Sequence, residues 1–169
     1  MSAQPILLDT CALVWILKGS PIGQAIIEAH RLDSRPDKPM VSVVSVGELL
    51  ALVRDWKWGT QKLARMQALL REYHVLPIEH GAIKDKYGEL MGFSKAKGLS
   101  QGQNDHWIAA TASVAGARVV TTDKDFDGLY SHQLVQRDYH DPVEILAAAK
   151  RDEPSPEKPP RKKSKKAAS

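Results

Sequence analysis

The chain has 169 residues, 43% of them hydrophobic, with one cysteine and a net charge of +4. That length suits a single domain with a core of its own. One cysteine excludes an intrachain disulfide framework, and no apolar run approaches the ~20 residues that a membrane span needs. The charge is unevenly placed: residues 150–169 hold eight basic and three acidic residues, leaving 16 basic and 17 acidic in the rest.

The N-terminus enters an apolar run at once, so no signal peptide is expected and a reducing cytoplasm is the expected compartment. "PILL" (5–8) predicts a short buried strand and "CALVWILKG" a helix that is apolar all round, stopped at Gly19. Cys11 reads there as a small buried residue. "PIGQAIIEAHRL" is a second helix with Pro21 near its start. "MVSVV" (40–44) is the second strand, followed by a helix, "SVGELLALVRDW", opening at Ser45. After the turn "KWG", the stretch "TQKLARMQALLREY" places Leu63, Met66, Leu69 and Leu70 on one helical face. "HVLPI" (74–78) is the third strand, and "EHGAIKDKYGELMGFSKAKG" begins helical and decays into a Gly- and Lys-containing loop. "NDHWIAATASVAG" is a helix ending at Gly116, "ARVVTTD" (117–123) the fourth strand, and "KDFDGLY" a turn or short helix. "HQLVQ" reads as a weak fifth strand and "DPVEILAAAK" as the final helix. The Pro-, Lys- and Ser-rich remainder cannot offset its own ordering entropy and is expected to be disordered. The expected division is a folded domain over 1–149 and a basic tail over 150–169.

Strands alternate with helices, and the strands are continuous apolar runs. That pattern predicts a mostly parallel central sheet of four to five strands covered on both faces, a three-layer α/β/α sandwich. In such a sheet the strands' carboxyl ends share one edge, where ligand sites form. Asp9 ends the first strand, Glu48 lies one turn into the helix after the second, Asn104 and Asp105 open a helix, and Asp123 ends the fourth strand with Asp125 close behind. Each acid has a structural explanation. Asp9 or Thr10 can cap the first helix, "SVGE" matches a capping box, Asn104 is a good N-cap, Asp105 suits a first helical turn, and Asp123 can be a strand-end turn residue. Together they do not sit comfortably, because carboxylates sharing one edge repel by more than helix dipoles return. A divalent cation resolves the conflict, and an oxygen-only donor set favours Mg²⁺ or Mn²⁺ over Zn²⁺. Such a cation suits phosphodiester cleavage by activated water and in-line displacement. No phosphate-cradling Gly-rich loop, dinucleotide fingerprint or Gly-x-Ser-x-Gly elbow is present.

The stretches "LLDTCALVW", "VSVVSVGELLAL" and "NDHWIAATASVAGARVVTTDKDF", in that order, resemble the PIN-domain ribonucleases, and more narrowly the VapC-type toxins of bacterial toxin–antitoxin pairs. The resemblance covers roughly residues 4–137, and its last stretch is the most specific. It implies a PIN-like fold and a Mg²⁺-dependent endoribonuclease that cleaves RNA, dimerises and is held inactive by a cognate antitoxin. Carried over by motif, Asp9, Glu48 and Asp105 are the principal acids, Asp123 is the fourth, and Asp125 is a looser candidate. Thr10 and Thr121 or Thr122 would support water or phosphate contacts. The basic tail is not part of that pattern.

Other residues are read beside it. His106 lies about 100° around its helix from Asp105 and is taken as structural. "WKW" (56–58) is either edge packing or a groove for a peptide or a stacked base. Lys95 and Lys97 are placed in a loop from which they could touch phosphate, and Arg161, Lys162 and Lys163 in the tail could attract RNA. Two other classes compete: a catalytically inactive PIN-like module binding RNA or protein, and a phosphatase-type hydrolase with Asp9 as nucleophile. The second class wants another Asp two residues on, where Cys11 stands.

Overall fold

The computed structural model describes residues 4–152, so Arg161, Lys162, Lys163 and the rest of the tail beyond Asp152 lie outside the described residues. Five short strands, β1 (Ile6–Leu8), β2 (Met40–Ser42), β3 (His74–Leu76), β4 (Arg118–Thr121) and β5 (Arg137–Tyr139), form one sheet in the order β3-β2-β1-β4-β5. Every pairing is parallel. The crossovers carry α1 (Thr10–Leu17), α2 (Pro21–His30), α3 (Val43–Asp55), α4 (Thr60–Glu72), α5 (Gly81–Lys97), α6 (Gln103–Val114) and the short α7 (Asp127–Ser131), with α8 (Pro142–Asp152) last.

The period-two alternation of strand side chains divides the core. Ile6, Leu8, Val41 and Val120 face a layer built from α1–α4, with Leu13, Ile22, Ile26, Leu49 and Met66 fully or nearly fully buried. Leu7 and Val119 face the other layer, where Leu90, Ile108, Phe126 and Leu129 are buried. The result is the three-layer α/β/α sandwich of a PIN-like fold. Among the described residues no single helix is long and apolar enough to cross a membrane.

The strands are shorter than their apolar runs, with β3 ending at Leu76 and β4 at Thr121, and four further departures from the sequence expectation have a physical cause. The second strand stops at Ser42, whose hydroxyl caps α3 by accepting from Val44 N–H (3.2 Å). The cap overrides the β preference of Val43 and Val44, and Ser45 becomes a helix-interior residue. The segment expected to decay into a loop is helical through Lys97, so Lys95 and Lys97 sit in the last turn of α5 and not in a loop. Interior Gly88 and Gly92 each cost about 1 kcal/mol of helix propensity, but Ile83, Leu90 and Ser94 are buried as α5 packs on α6, and Gly98 closes it in the left-handed conformation (φ +66°). The fifth strand is Arg137–Tyr139, not "HQLVQ": Gln133 takes a positive φ (60°) in a turn, and the half-buried edge strand that follows has no apolar run to announce it. Finally, α8 runs to Asp152, so residues 150–152 are helical.

Candidate active site

The central neighbours β1 and β4 set the site. Asp9 N–H donates to Val120 O (3.0 Å), continuing the β1–β4 ladder, so the Asp9 carboxylate emerges beside the end of β4. Thr121 ties the two strand ends together: its Oγ1 donates to Asp9 Oδ2 (2.9 Å) and accepts from Asp123 N–H (2.9 Å). Asp9 is also the N-cap of α1, accepting at Oδ1 from Thr10 N–H (2.7 Å). Its structural and functional readings therefore coexist in one carboxylate.

Ser42 as the cap has a direct consequence for Glu48. With Ser45 as N-cap, Glu48 would be the third helical residue, in reach of the cap's own N–H. With Ser42 as N-cap, Glu48 falls in the second turn, and its carboxylate is released to the sheet edge. Thr10 Oγ1 donates to Glu48 Oε2, and Asn104 Nδ2 donates to Glu48 Oε1 (2.8 Å). The capping-box explanation of "SVGE" is thereby overturned, and Ser45 Oγ is buried without a hydrogen-bond partner among the described residues.

Asn104 is likewise not the cap of α6. Gly102 is, and Asp105 becomes the third helical residue, its Oδ2 accepting from Gly102 N–H (3.1 Å). A Cβ at position 102 would stand 2.9 Å from that oxygen, so glycine there makes room for the carboxylate. Asn104 is thus free to orient Glu48.

Asp9, Glu48, Asp105 and Asp123 all line one cleft of about 350 Å³, with Thr10 and Cys11 between them. Burial pushes the Asp105 carboxyl up to about 7, with Asp9, Asp125 and Glu48 adding repulsion, and the Gly102 N–H only partly offsetting it. Burial also raises Asp9, against hydrogen bonds from Cys11, Thr121 and Thr10. Among the described residues no three acid, imidazole or thiol groups are already closed into a metal cage. The donor set nonetheless fits a hard cation by its chemistry: it is oxygen only, crowded with like charge, and Asp105 and Asp123 each engage only one oxygen in hydrogen bonds to described residues.

Other candidates separate from this group. Asp125 does so only in part: it is exposed and does not line the cleft, yet its charge reaches Asp105, and its N–H donates to Asp123 Oδ1 (3.1 Å), so that Asp123, which does line the cleft, is also a turn cap. Thr122 Oγ1 accepts from Trp15 Nε1 (3.2 Å) and does not touch the acids. Lys95 and Lys97 are exposed and do not line the cleft. His106 is buried, with Nδ1 donating to Gly102 O (2.7 Å) and Nε2 against Ser94 Oγ (2.8 Å), so it braces the approach to α6.

Besides the apolar Val14 and Leu52, sequence reasoning missed Cys11 as more than packing, Trp15 and Lys18 as cleft residues. The thiol donates to Asp9 Oδ2 (2.9 Å) and stays protonated, since burial and the Asp9 charge push it up to about 12. The signal was present in the spacing. Cys11, Val14, Trp15 and Lys18 fall at i, i+3, i+4 and i+7, one stripe of α1. An all-apolar helix hides such a stripe.

The family model of the PIN domain matches residues 6–131, and the chain belongs to that family. Among solved structures it is similar to VapBC2 from Rickettsia felis, bound to a DNA fragment from its promoter (TM-score 0.67, 21% identity, covering 79% of this chain and 97% of that one). It is also similar to FitAcB from Neisseria gonorrhoeae (0.64, 23%, 80% and 96%) and to VapBC-5 of Mycobacterium tuberculosis, a member of the VapBC family of toxin–antitoxin systems (0.61, 23%, 82% and 100%). A comparison with curated proteins finds no match.

Proposed function

We propose that this chain is a metal-dependent endoribonuclease, the toxin of a toxin–antitoxin pair, acting in the cytoplasm as a homodimer restrained by a cognate antitoxin. The observation that carries the reading is the convergence of Asp9, Glu48, Asp105 and Asp123 on one cleft at the carboxyl edge of a parallel sheet. The similarity to solved toxin–antitoxin complexes supports the partner.

The four acids would hold Mg²⁺, with Mn²⁺ an alternative. When bound, such a cation holds a phosphodiester oxygen, activates a water and stabilises the leaving oxygen of an in-line displacement. The chain's own contribution is orientation. Thr10 and Asn104 fix the two oxygens of Glu48, while Thr121 and Cys11 fix Asp9. Supporting groups of this kind aim metal-binding carboxylates before a ligand arrives. Asp105, anchored through one oxygen to Gly102, relieves its repulsion when a cation enters.

The test is incubation of the full chain with single-stranded RNA in Mg²⁺, Mn²⁺, Zn²⁺ or EDTA. Cleavage is expected in Mg²⁺ and Mn²⁺ and not after chelation. RNA that is bound but never cut would leave an inactive RNA-binding module, and full cleavage after exhaustive chelation would remove the metal from the account.

A further inference from the structure

The cleft continues past the acids into a groove between α1 and α3. On α1 the stripe that begins at Cys11 continues through Trp15 to Lys18, and on α3 Glu48 is followed at four-residue intervals by Leu52 and Trp56. Lys18 Nζ lies 5.2 Å from the Trp15 ring centroid and 4.6 Å from that of Trp56. Trp56 is 41% exposed, and Trp58 flanks it with ring centroids 5.6 Å apart. Among the described residues lining this cleft Lys18 is the only cation, and no described carboxylate pairs with it. An exposed tryptophan and an ammonium held only by indole faces thus stand at one end, and four carboxylates at the other.

We propose that Trp56 and Lys18 form a subsite for a nucleotide flanking the scissile phosphate of single-stranded RNA, with the base stacked on Trp56 and its phosphate on Lys18. The proposal rests on the ribonuclease reading above and adds the residues that hold the substrate. Eight residues of helical rise separate Glu48 from Trp56, about 12 Å, so the stacked base belongs to a nucleotide beside the reacting phosphate. Every base has a face that an aromatic ring can hold, so the subsite favours unpaired RNA without demanding a sequence. The charge order fits a phosphodiester chain: metal-binding acids at the scissile phosphate, a cation at its neighbour. A cationic peptide drawn to the acids would meet Lys18 as a like charge. The Lys18 ammonium, resting between two indole rings, moves to the phosphate when the base takes its place.

The test uses the full chain carrying Asp105→Asn, so that RNA survives a titration in Mg²⁺, and fluorescein-labelled single-stranded RNA of mixed sequence. Adding Trp56→Ala is expected to weaken binding about 5- to 150-fold, and Trp56→Phe to recover most of it. Lys18→Gln is expected to reduce the salt slope by about 0.7, one phosphate contact on a single strand. An abasic position in the RNA should weaken the parent but not the Trp56→Ala variant. Melting temperatures confirm that the variants fold. Parent-like affinity and salt slope in all three variants would overturn the subsite, as would variants that keep RNA binding but lose a co-expressed antitoxin, which would make the groove a protein dock. If the unsubstituted chain cleaves RNA while these variants bind normally, only the subsite falls. If the unsubstituted chain neither binds nor cleaves RNA, the ribonuclease reading falls with it.

Discussion

Asp105 and Ser45 show how one side chain can separate two readings. Folding lifts the Asp105 carboxyl from 3.8 to about 7, so the folded state holds the extra proton and metal-free stability falls as pH rises between those values. Asp105→Asn removes that dependence while keeping an oxygen for Gly102 N–H. In EDTA the variant should match the unsubstituted chain near pH 4 and exceed it above pH 7 by about 1 kcal/mol, after solvent screening at this half-buried position. Thermal melts across that range check it, and parallel curves would contradict it. Asp9→Asn should gain less, because an amide cannot replace both oxygens that accept from Thr10, Cys11 and Thr121. Ser45 gives a second test. Its buried hydroxyl has no partner among the described residues, so Ser45→Ala should be neutral or stabilising by up to about 1 kcal/mol, whereas Ser42→Ala should cost about 1 kcal/mol as the loss of a true cap. Denaturant midpoints would reverse that order if Ser45 were the cap. The placing of the four acids at one sheet edge was legible in the sequence, because Asp9 and Asp123 follow strands and Asp105 and Glu48 lie in the first two turns of helices that start there. What holds them was not: Thr10 to Glu48 and Asn104 to Glu48 are contacts across 38 and 56 residues, which local spacing does not encode.

At the level of elements, α1 carries the most. It presents Asp9 at its cap and Cys11, Trp15 and Lys18 along one side, while Ala12, Leu13, Ile16 and Leu17 are buried on the other. Its position depends on α2, whose Gly23 backbone lies against the carbonyl of Trp15. A Cβ at Gly23 would stand 2.3 Å from that oxygen and 2.8 Å from Ile16 Cα. Gly23→Ala must therefore push the helices apart, at about 1–3 kcal/mol, and the displacement should reach the cleft. The variant is expected to melt lower and to bind divalent cations more weakly. An unchanged melting temperature would show that α1 is not pinned there. Most elements were legible from period and punctuation, including Gly19 after α1 and Pro21 at the start of α2. The failures have two causes. Capping moved the start of α3, burial of one face carried α5 past two glycines, and edge pairing made β5 from Arg137, Asp138 and Tyr139. The first is one local signal overriding another, and in the other two tertiary context outweighed local preference.

For the whole molecule, the alternation of apolar strands with helices was enough to give the parallel three-layer sandwich, because few topologies bury such strands on both faces. The charge distribution adds a prediction about substrate capture. Residues 153–169 contain six basic and two acidic residues, while residues 1–152 balance at 18 of each. A chain ending at Asp152 should bind RNA more weakly with a shallower salt dependence, yet reach the same rate at saturating RNA, since every acid of the cleft lies upstream. Cleavage rates against RNA concentration at two salt levels decide this, and a lost rate at saturation would place part of the tail in the chemistry. The central claim is that the acids at the carboxyl edge of the sheet hold the cation that cuts RNA. Its most direct test is calorimetric titration of Mg²⁺ into the unsubstituted chain and Asp105→Asn, with RNA cleavage followed in the same samples. The account predicts Mg²⁺ binding and cleavage by the unsubstituted chain, and the loss of both in a variant that melts no lower. Wild-type cleavage by Asp105→Asn, or Mg²⁺ binding undiminished by the substitution, would contradict it.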